Sequence, residues 1–340
     1  MKIQTPLDLS IIIVNWNSAE FVRRCVDSIR RQPIGFTYEI IVIDNASFDG
    51  CDRMLREHHP EVSYVQSHEN LGFARANNLA FKLSRGTTLL FLNPDTEIVG
   101  SAIQQLHKAA SELPSAGVVG ARLLNADGTL QTSCIQSFPT IINQVLTFEF
   151  LQRLFPWWEL WGMAPLYHQP HAMADEVQGI SGACMMLRRD VYIRVGCFSE
   201  DYFMYTEDLD LCYKTRKSGL KNYYLAEATI IHFGGSSSKQ AASDFSCIMM
   251  RESIWRFLRK TRGDIYGLGY RCAMFLSAVV RLGLLVFLFP IQALRGRCQC
   301  WRGSFREWYA VLRWSVRLSL PSINHGEPSA QYQEVGPVLK

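Results

Sequence analysis

The chain has 340 residues, 48% of them hydrophobic and 19% charged, with a formal net charge of +4. That composition excludes a disordered or low-complexity protein and supplies a sizeable core. Ten cysteines without a CxxC pair argue against a disulfide framework or a zinc site, and for buried thiols in a reducing cytoplasm.

The first ten residues lack the charged-then-apolar layout of a signal peptide. Leu9 to Val14 predicts a strand ending at Asn15-Trp16-Asn17. Asn17, with Glu20 three residues on, predicts a capping box for a helix that runs to about Gln32. Glu39 to Ile43 predicts a second strand, ending at Asp44-Asn45-Ala46-Ser47. A short helix and a third strand near Val62–Gln66 follow, then a helix from Gly72 to Leu83. Thr88 to Leu92 reads as a buried strand that Pro94 stops. Asp95 is left at its carboxyl end, where open α/β sheets bind ligands and an aspartate can hold a cation. Asp also suits turns for purely structural reasons. The alternation and the continuous apolar runs predict an α/β fold with a mostly parallel sheet covered on both faces.

Val118–Ala121 begins a further strand, and Asn125-Ala126-Asp127-Gly128 predicts a hairpin turn. Residues 134–176 lose periodicity and hold Trp157, Trp158 and Trp161, the pattern of a binding loop or lid. Regular structure resumes over Gly179 to Leu187, Arg189–Val195 predicts a short helix, and Asp208–Ser218 a helix closed by Gly219. Thr229–His232 predicts a short strand, and Phe233 to Ser238 a flexible connection.

Residues 251–317 hold 13 Lys and Arg against 3 Asp and Glu, whereas residues 1–250 carry a net −5. Ala273 to Leu294 is apolar around Arg281, but its uninterrupted run, Leu282–Ile291, has ten residues. A bilayer core of roughly 30 Å takes about 20. With Arg295, Arg297, Arg302, Arg306, Arg313, Arg317 and three tryptophans nearby, a hairpin or interfacial helices on an anionic membrane surface are expected. A helical cap on the core or a subunit interface is the alternative. The aliphatic run suits lipid better than a phosphate groove, so no nucleic acid is expected.

No GxGxxG follows the first strand and no GxxxxGK[ST] occurs, which argues against standard dinucleotide and P-loop sites. Carboxylates fall at strand ends instead: Asp44, Asp95, and then Glu207-Asp208-Leu209-Asp210 at a helix start. A helix dipole favours acids there, but three in four residues exceed what a cap needs, and one could be a general base.

Seven segments in order carry a resemblance: Ser10–Ser18, Val42–Ser47, Glu69–Asn78, Leu92–Thr96, Ser181-Gly182-Ala183, Thr206–Asp210 and His232. Over roughly residues 8–240 the chain resembles the family 2 glycosyltransferases, and among them the bacterial rhamnosyltransferase-like branch. The resemblance implies a GT-A-type, Rossmann-like fold and inverting transfer from a nucleotide-diphosphate sugar. Asp44 would contact the base or ribose. Asn15, Asn17, Asn45, Gly72 and Arg75 would line the nucleotide-sugar site. Asn93 and Asp95 would stand where the family has DxD, with Asn93 replacing the first acid. Asp95 and His232 would hold a divalent cation, Mg2+ or Mn2+. Glu207 and Asp208 both remain candidates for the base, and Asp210 would cap the helix or position Arg75 or another cation.

The implied organisation is a transferase domain over 1–245, with a nucleotide-sugar half to about 125 and an acceptor half beyond. A basic helical membrane-associating region follows over 246–320, then a flexible tail over 321–340. The expected donor is dTDP-rhamnose or another dTDP- or UDP-sugar. The expected acceptor is a saccharide or polyprenyl-linked saccharide in cell-surface polysaccharide synthesis. The protein would sit peripherally on the inner face of the cytoplasmic membrane, with self-association left open. Two rival readings are a sugar nucleotidyltransferase, which wants a glycine-rich basic first loop, and a non-catalytic membrane-attached scaffold with a decayed transferase fold.

Overall fold

The computed structural model describes residues 6–146, 174–234, 243–294 and 298–316. The chain divides into two compact units. One comprises residues 1–138 and 149–237, the other residues 139–148 and 238–340.

The larger unit is an α/β layer structure. Its strands are β1 (Leu7–Asn15), β2 (Tyr38–Asn45), β3 (Ser63–Ser67), β4 (Gly86–Leu92), β5 (Thr96–Ile98), β6 (Ala116–Leu124), β7 (Ile135–Gln136), β8 (Asp175–Val177), β9 (Gly179–Ile180), β10 (Cys184–Arg188) and β11 (Lys221–His232). The main sheet runs β3-β2-β1-β4-β10-β6-β11-β5, with β8 on the side of β11. β1 pairs in parallel with β2 and β4, β2 with β3, and β6 with β11. β10 is antiparallel to both of its neighbours, and β5 and β8 are antiparallel to β11. Six strands therefore point one way, which is the mostly parallel sheet that the apolar runs predict.

Ile11, Ile12, Ile13, Val42, Ile43, Leu89, Leu90 and Phe91 are all fully buried. Successive residues of a strand point to opposite faces, so burial of consecutive residues requires cover on both. Helices α1 (Ala19–Arg30), α2 (Cys51–His58), α3 (Gly72–Leu83) and α4 (Ala102–Glu112) supply that cover. Cys25, Cys51, Cys134, Cys184, Cys197, Cys212, Cys247 and Cys272 are free.

Three boundaries differ from the sequence reading. The regular segment expected over Gly179–Leu187 is two strands, β9 and β10, because Ser181–Ala183 turns the chain between two different sheets. β11 begins eight residues before Thr229. Its register shifts between Leu225 and Thr229, and that irregularity with Glu227 hides the strand's first half from a pattern search. The segment Ala273–Leu294 does not turn back on itself and belongs to one long helix. Most of the expected lid, the flexible connection from residue 235 on, Arg295, Arg297, Arg317 and the 321–340 tail lie outside the described residues.

The smaller unit is helical: α5 (Ile141–Val145), then, beyond α6 (Arg189–Arg194) and α7 (Glu207–Lys217) of the larger unit, α8 (Ser243–Arg262), α9 (Asp264–Leu294) and α10 (Cys298–Val316). Phe257, Leu258, Tyr270, Met274, Ala278, Val311 and Trp314 form its interior. The Arg271 guanidinium donates to the Trp314 carbonyl at 2.7 Å and lies over the rings of Trp255 and Trp314. Arg281 donates to the Val145 carbonyl and lies over Trp308. Both arginines interrupting α9 thus turn into the helical unit. The other face exposes Ile265, Leu276, Val280, Val286 and Phe287, each more than half accessible. Asp264–Pro290, 27 residues, is long and apolar enough to cross a membrane.

Candidate active site

The strand order reverses at β1, with β2 and β3 to one side and β4 to the other. Ligands of open α/β sheets bind outside the carboxyl ends of the strands at such a switch point. Asn15, Asp44 and the Asn93-Pro94-Asp95 turn all stand at that edge.

Asp44 is fully buried. It accepts hydrogen bonds from Asn15 Nδ2 (2.8 Å), the Ser47 hydroxyl, the Phe48 amide (3.0 Å) and Gln66 Nε2 (2.8 Å). Two donors reach each oxygen, which compensates the charge for leaving water. The Tyr64 hydroxyl donates to Gln66 Oε1 at 2.6 Å and fixes which way that amide faces. Asn15 also donates to Ser47 and Asp49, at 3.1 and 3.0 Å.

The capping box expected at Asn17 does not form. Asn17 sits at φ 51°, and the first helical donors are already claimed. The Ser18 amide donates to Asn15 Oδ1 and the Ala19 amide to Asp49 Oδ2. Glu20 pairs with Arg23 instead.

Asn45 donates to Asn70 Oδ1 and accepts from the Leu71 amide, both at 2.8 Å, and so delivers the chain into α3. Gly72 has φ +73°, and a Cβ there would lie 2.2 Å from the Phe203 carbonyl oxygen. Only glycine fits. That carbonyl accepts from the Phe73 amide, which ties the nucleotide half to the segment before Glu207. Arg75 lies 3.7 Å from Glu69. Asp210 does not position it. Buried Asp210 accepts from the Ser199 and Tyr202 hydroxyls and pairs with Lys214 at 3.3 Å.

The acid cluster is held under strain. Tyr205 and Thr206 both have φ 70°, an outlier for a β-branched residue, immediately before Glu207. Asn78 and Asp210 hold the preceding loop from both sides. Asn78 donates to the Phe198 carbonyl and Glu200, and accepts from the Tyr192 hydroxyl.

One carboxylate oxygen of Glu207 is buried without a hydrogen-bond partner among the described residues. Burial, and next the charge of Asp208, push its pKa up to about 8. Asp208 is the more exposed of the two. It accepts from the Gly182 amide (2.8 Å), the Leu209 amide (2.7 Å) and Gln136 Nε2 (3.3 Å). Burial raises its pKa too, against those hydrogen bonds.

The turn that positions Asp208 also positions the metal candidates. The Asn93 amide donates to the Ala183 carbonyl at 3.0 Å, one residue from Gly182. His232 Nε2 faces Asp95 Oδ1 at 3.3 Å and Asn93 Nδ2 at 3.4 Å. His232 lies opposite Thr96 in the antiparallel β5–β11 register, which fixes this meeting. Among the described residues no three His, Cys, Asp or Glu side chains converge. A carboxylate oxygen and an imidazole nitrogen facing each other suit a small divalent cation whose remaining ligands are phosphate and water oxygens.

All of these residues therefore gather at one edge of the sheet except Arg75, which is placed only by its contact with Glu69. Asp49, Gln66, Gln131 and Gln136 escaped the sequence reading. Only Asp49, two residues before α2, carried a local signal, that of an acid near a helix N-terminus.

Comparison with known proteins gives the family and the fold. The model of glycosyl transferase family 2 matches residues 10–196. The N-acetylglucosaminyl-diphospho-decaprenol L-rhamnosyltransferase of Mycobacterium tuberculosis is 27% identical over 246 residues, 68% of this chain and 77% of that protein. The rhamnosyltransferase WbbL of Escherichia coli K12 is 22% identical over 261 residues, 74% of this chain and 93% of the relative. In fold, the chain resembles the mannosyltransferase PcManGT from Pyrobaculum calidifontis, solved with GDP-Man and Mn2+. The TM-score is 0.57 at 16% identity, over 92% of this chain and 87% of that one. With more than half its length matched by the family model, this chain belongs to glycosyl transferase family 2.

Proposed function

We propose that this glycosyltransferase moves rhamnose from dTDP-rhamnose, with inversion, to a polyprenyl-linked saccharide at the inner face of the cytoplasmic membrane. The observation that carries the reading is the single turn, Ser181–Ala183, that holds a base candidate through Gly182 and, through Ala183, the Asn93 amide two residues before the metal candidate Asp95. The names of the two rhamnosyltransferase relatives support rhamnose as the sugar, and the diphospho-decaprenol in one of them supports a lipid-linked acceptor.

In this reading Asp208 is the base. It is reachable, and three hydrogen bonds orient it. It takes the proton of the acceptor hydroxyl as that oxygen attacks the anomeric carbon from the face opposite the diphosphate. The bond from that carbon to the diphosphate oxygen breaks, the diphosphate leaves, and the configuration inverts. Glu207, with its pKa near 8, stays largely protonated at neutral pH and shields the site rather than receiving the proton. Asp95 and His232 would hold a divalent cation, which supplies positive charge to the departing diphosphate. Asp44 accepts from a pyrimidine only once Ser47 or Gln66 gives way, since its oxygens are already engaged. Asn15, Asn17, Asn45, Gly72 and Arg75 complete the donor site.

The transferase part would run to about residue 245, followed by the helical membrane part. Membrane contact is assigned to the exposed apolar face of α9, whose two arginines are turned inward. A panel of dTDP-, UDP- and GDP-sugars tests the donor, scored by release of nucleoside diphosphate and by the anomeric coupling of the product. Turnover confined to dTDP-rhamnose with inversion is expected. Retention, or preference for a GDP-sugar, would contradict the proposal.

A further inference from the structure

His232 sits at the end of a chain of hydrogen bonds whose direction is fixed. The chain starts at Asp127, in the turn after β6. Its carboxylate only accepts, and the Thr129 hydroxyl donates to it at 2.6 Å. That hydroxyl, having used its proton, accepts from Asn125 Nδ2 at 3.0 Å. The Asn125 amide therefore presents its oxygen, which accepts from Gln131 Nε2 at 3.3 Å. Gln131 consequently turns its own oxygen to His232 Nδ1, 2.6 Å away. An amide oxygen cannot donate, so the proton of this contact is on Nδ1. In the neutral ring the other nitrogen, Nε2, then carries the lone pair.

Two further observations agree. Asn93 Nδ2, which only donates, faces the same Nε2 at 3.4 Å. Gly234 stands at φ +54°, and a Cβ there would lie 3.0 Å from Gln131 Nε2. Glycine leaves room for that amide. The hairpin is rigid enough to carry the direction. Asn125 and Gln131 are fixed by backbone bonds, Asn125 N to the Thr129 carbonyl at 2.8 Å and Gln131 N to the Leu123 carbonyl at 2.9 Å.

A lone pair aimed at a carboxylate oxygen 3.3 Å away is repulsive unless a proton or a cation lies between them, and a divalent cation can take both as ligands. We propose that Gln131 is a positioning residue that holds the Nδ1 proton of His232, so that Nε2 and Asp95 together face a divalent cation. This rests on the metal reading of Asp95 and His232. It adds to that reading why the ligating nitrogen is Nε2.

Two measurements test it on the full chain. Nitrogen-15 imidazole spectra of the metal-free protein, assigned by difference with His232→Ala, read the tautomer directly. A protonated Nδ1 and a bare Nε2 are expected. A neutral ring with its proton on Nε2 and a bare Nδ1 in the wild type would overturn the proposal, whatever the variants do. Mn2+ binding is then followed by electron paramagnetic resonance. Gln131→Leu should weaken it by about 10- to 100-fold, the usual size of such outer-shell effects. Gln131→Glu, which still accepts from Nδ1, should stay near wild type. Wild-type Mn2+ affinity in Gln131→Leu would refute the positioning role. Unchanged affinity in both Asp95→Asn and His232→Ala would instead remove the metal reading beneath it. The two failures are therefore distinguishable.

Discussion

Asp44 and Glu207 are buried carboxylates at the same edge of the same sheet, and their surroundings are opposite. Asp44 has two donors on each oxygen, and Glu207 keeps one oxygen with none among the described residues. The loop around Asp44 is a closed network, whereas the approach to Glu207 is two successive left-handed residues. Satisfied polar networks hold one conformation, and strained, under-satisfied ones concentrate where chemistry occurs. In the proposed function the first region is a fixed seat for the donor, and the second is poised for the acceptor.

Several experiments would break or sharpen this contrast. The largest effect should come from metal removal. A chelator should stop transfer and added Mn2+ restore it, and full activity in the chelator would sink the Asp95–His232 site. Next is the seat itself. Asp44→Asn places an amide against four donors and should cost about 2–3 kcal/mol of stability, read from urea unfolding. A loss under a few tenths would mean that the network is loose.

The pH dependence addresses Glu207. Its folded pKa, about 8, lies above the ordinary value of 4.5, so the native state keeps a proton that the unfolded chain releases between those limits. Its contribution makes stability fall as pH rises from about 4.5 to about 8, by the linkage relation. Glu207→Gln should flatten that slope, and an unchanged slope would remove the burial argument. The smallest effect belongs to the strained turn. Thr206→Gly should raise stability by about 1 kcal/mol by relieving the left-handed backbone, measured by thermal melting. A loss of stability would show that this backbone carries no strain.

The sheet was legible because burial on both faces leaves an unmistakable record, as in Ile11-Ile12-Ile13 and Leu89-Leu90-Phe91. The acid cluster was legible as three acids in four residues. The length of β11 was hidden by its irregularity at Leu225–Thr229. The capping box failed for a tertiary reason: Asp49, 30 residues away in sequence, had already taken the Ala19 amide. Gln131 and Gln136 left no local signal at all. Their partners, His232 and Asp208, are 101 and 72 residues distant in sequence, and an isolated glutamine has no periodicity to betray it.

The central claim is that Asp208, and not its buried neighbour, receives the acceptor's proton. Single-turnover rates of Asp208→Asn and Glu207→Gln, with one donor and one acceptor at saturation, test it most directly. Asp208→Asn should lose ~10²–10⁴-fold with donor binding intact, the usual loss for a missing general base. Glu207→Gln should lose far less. The reverse order, with Asp208→Asn near wild type and Glu207→Gln inactive, would move the base to Glu207 and contradict the reading of the site.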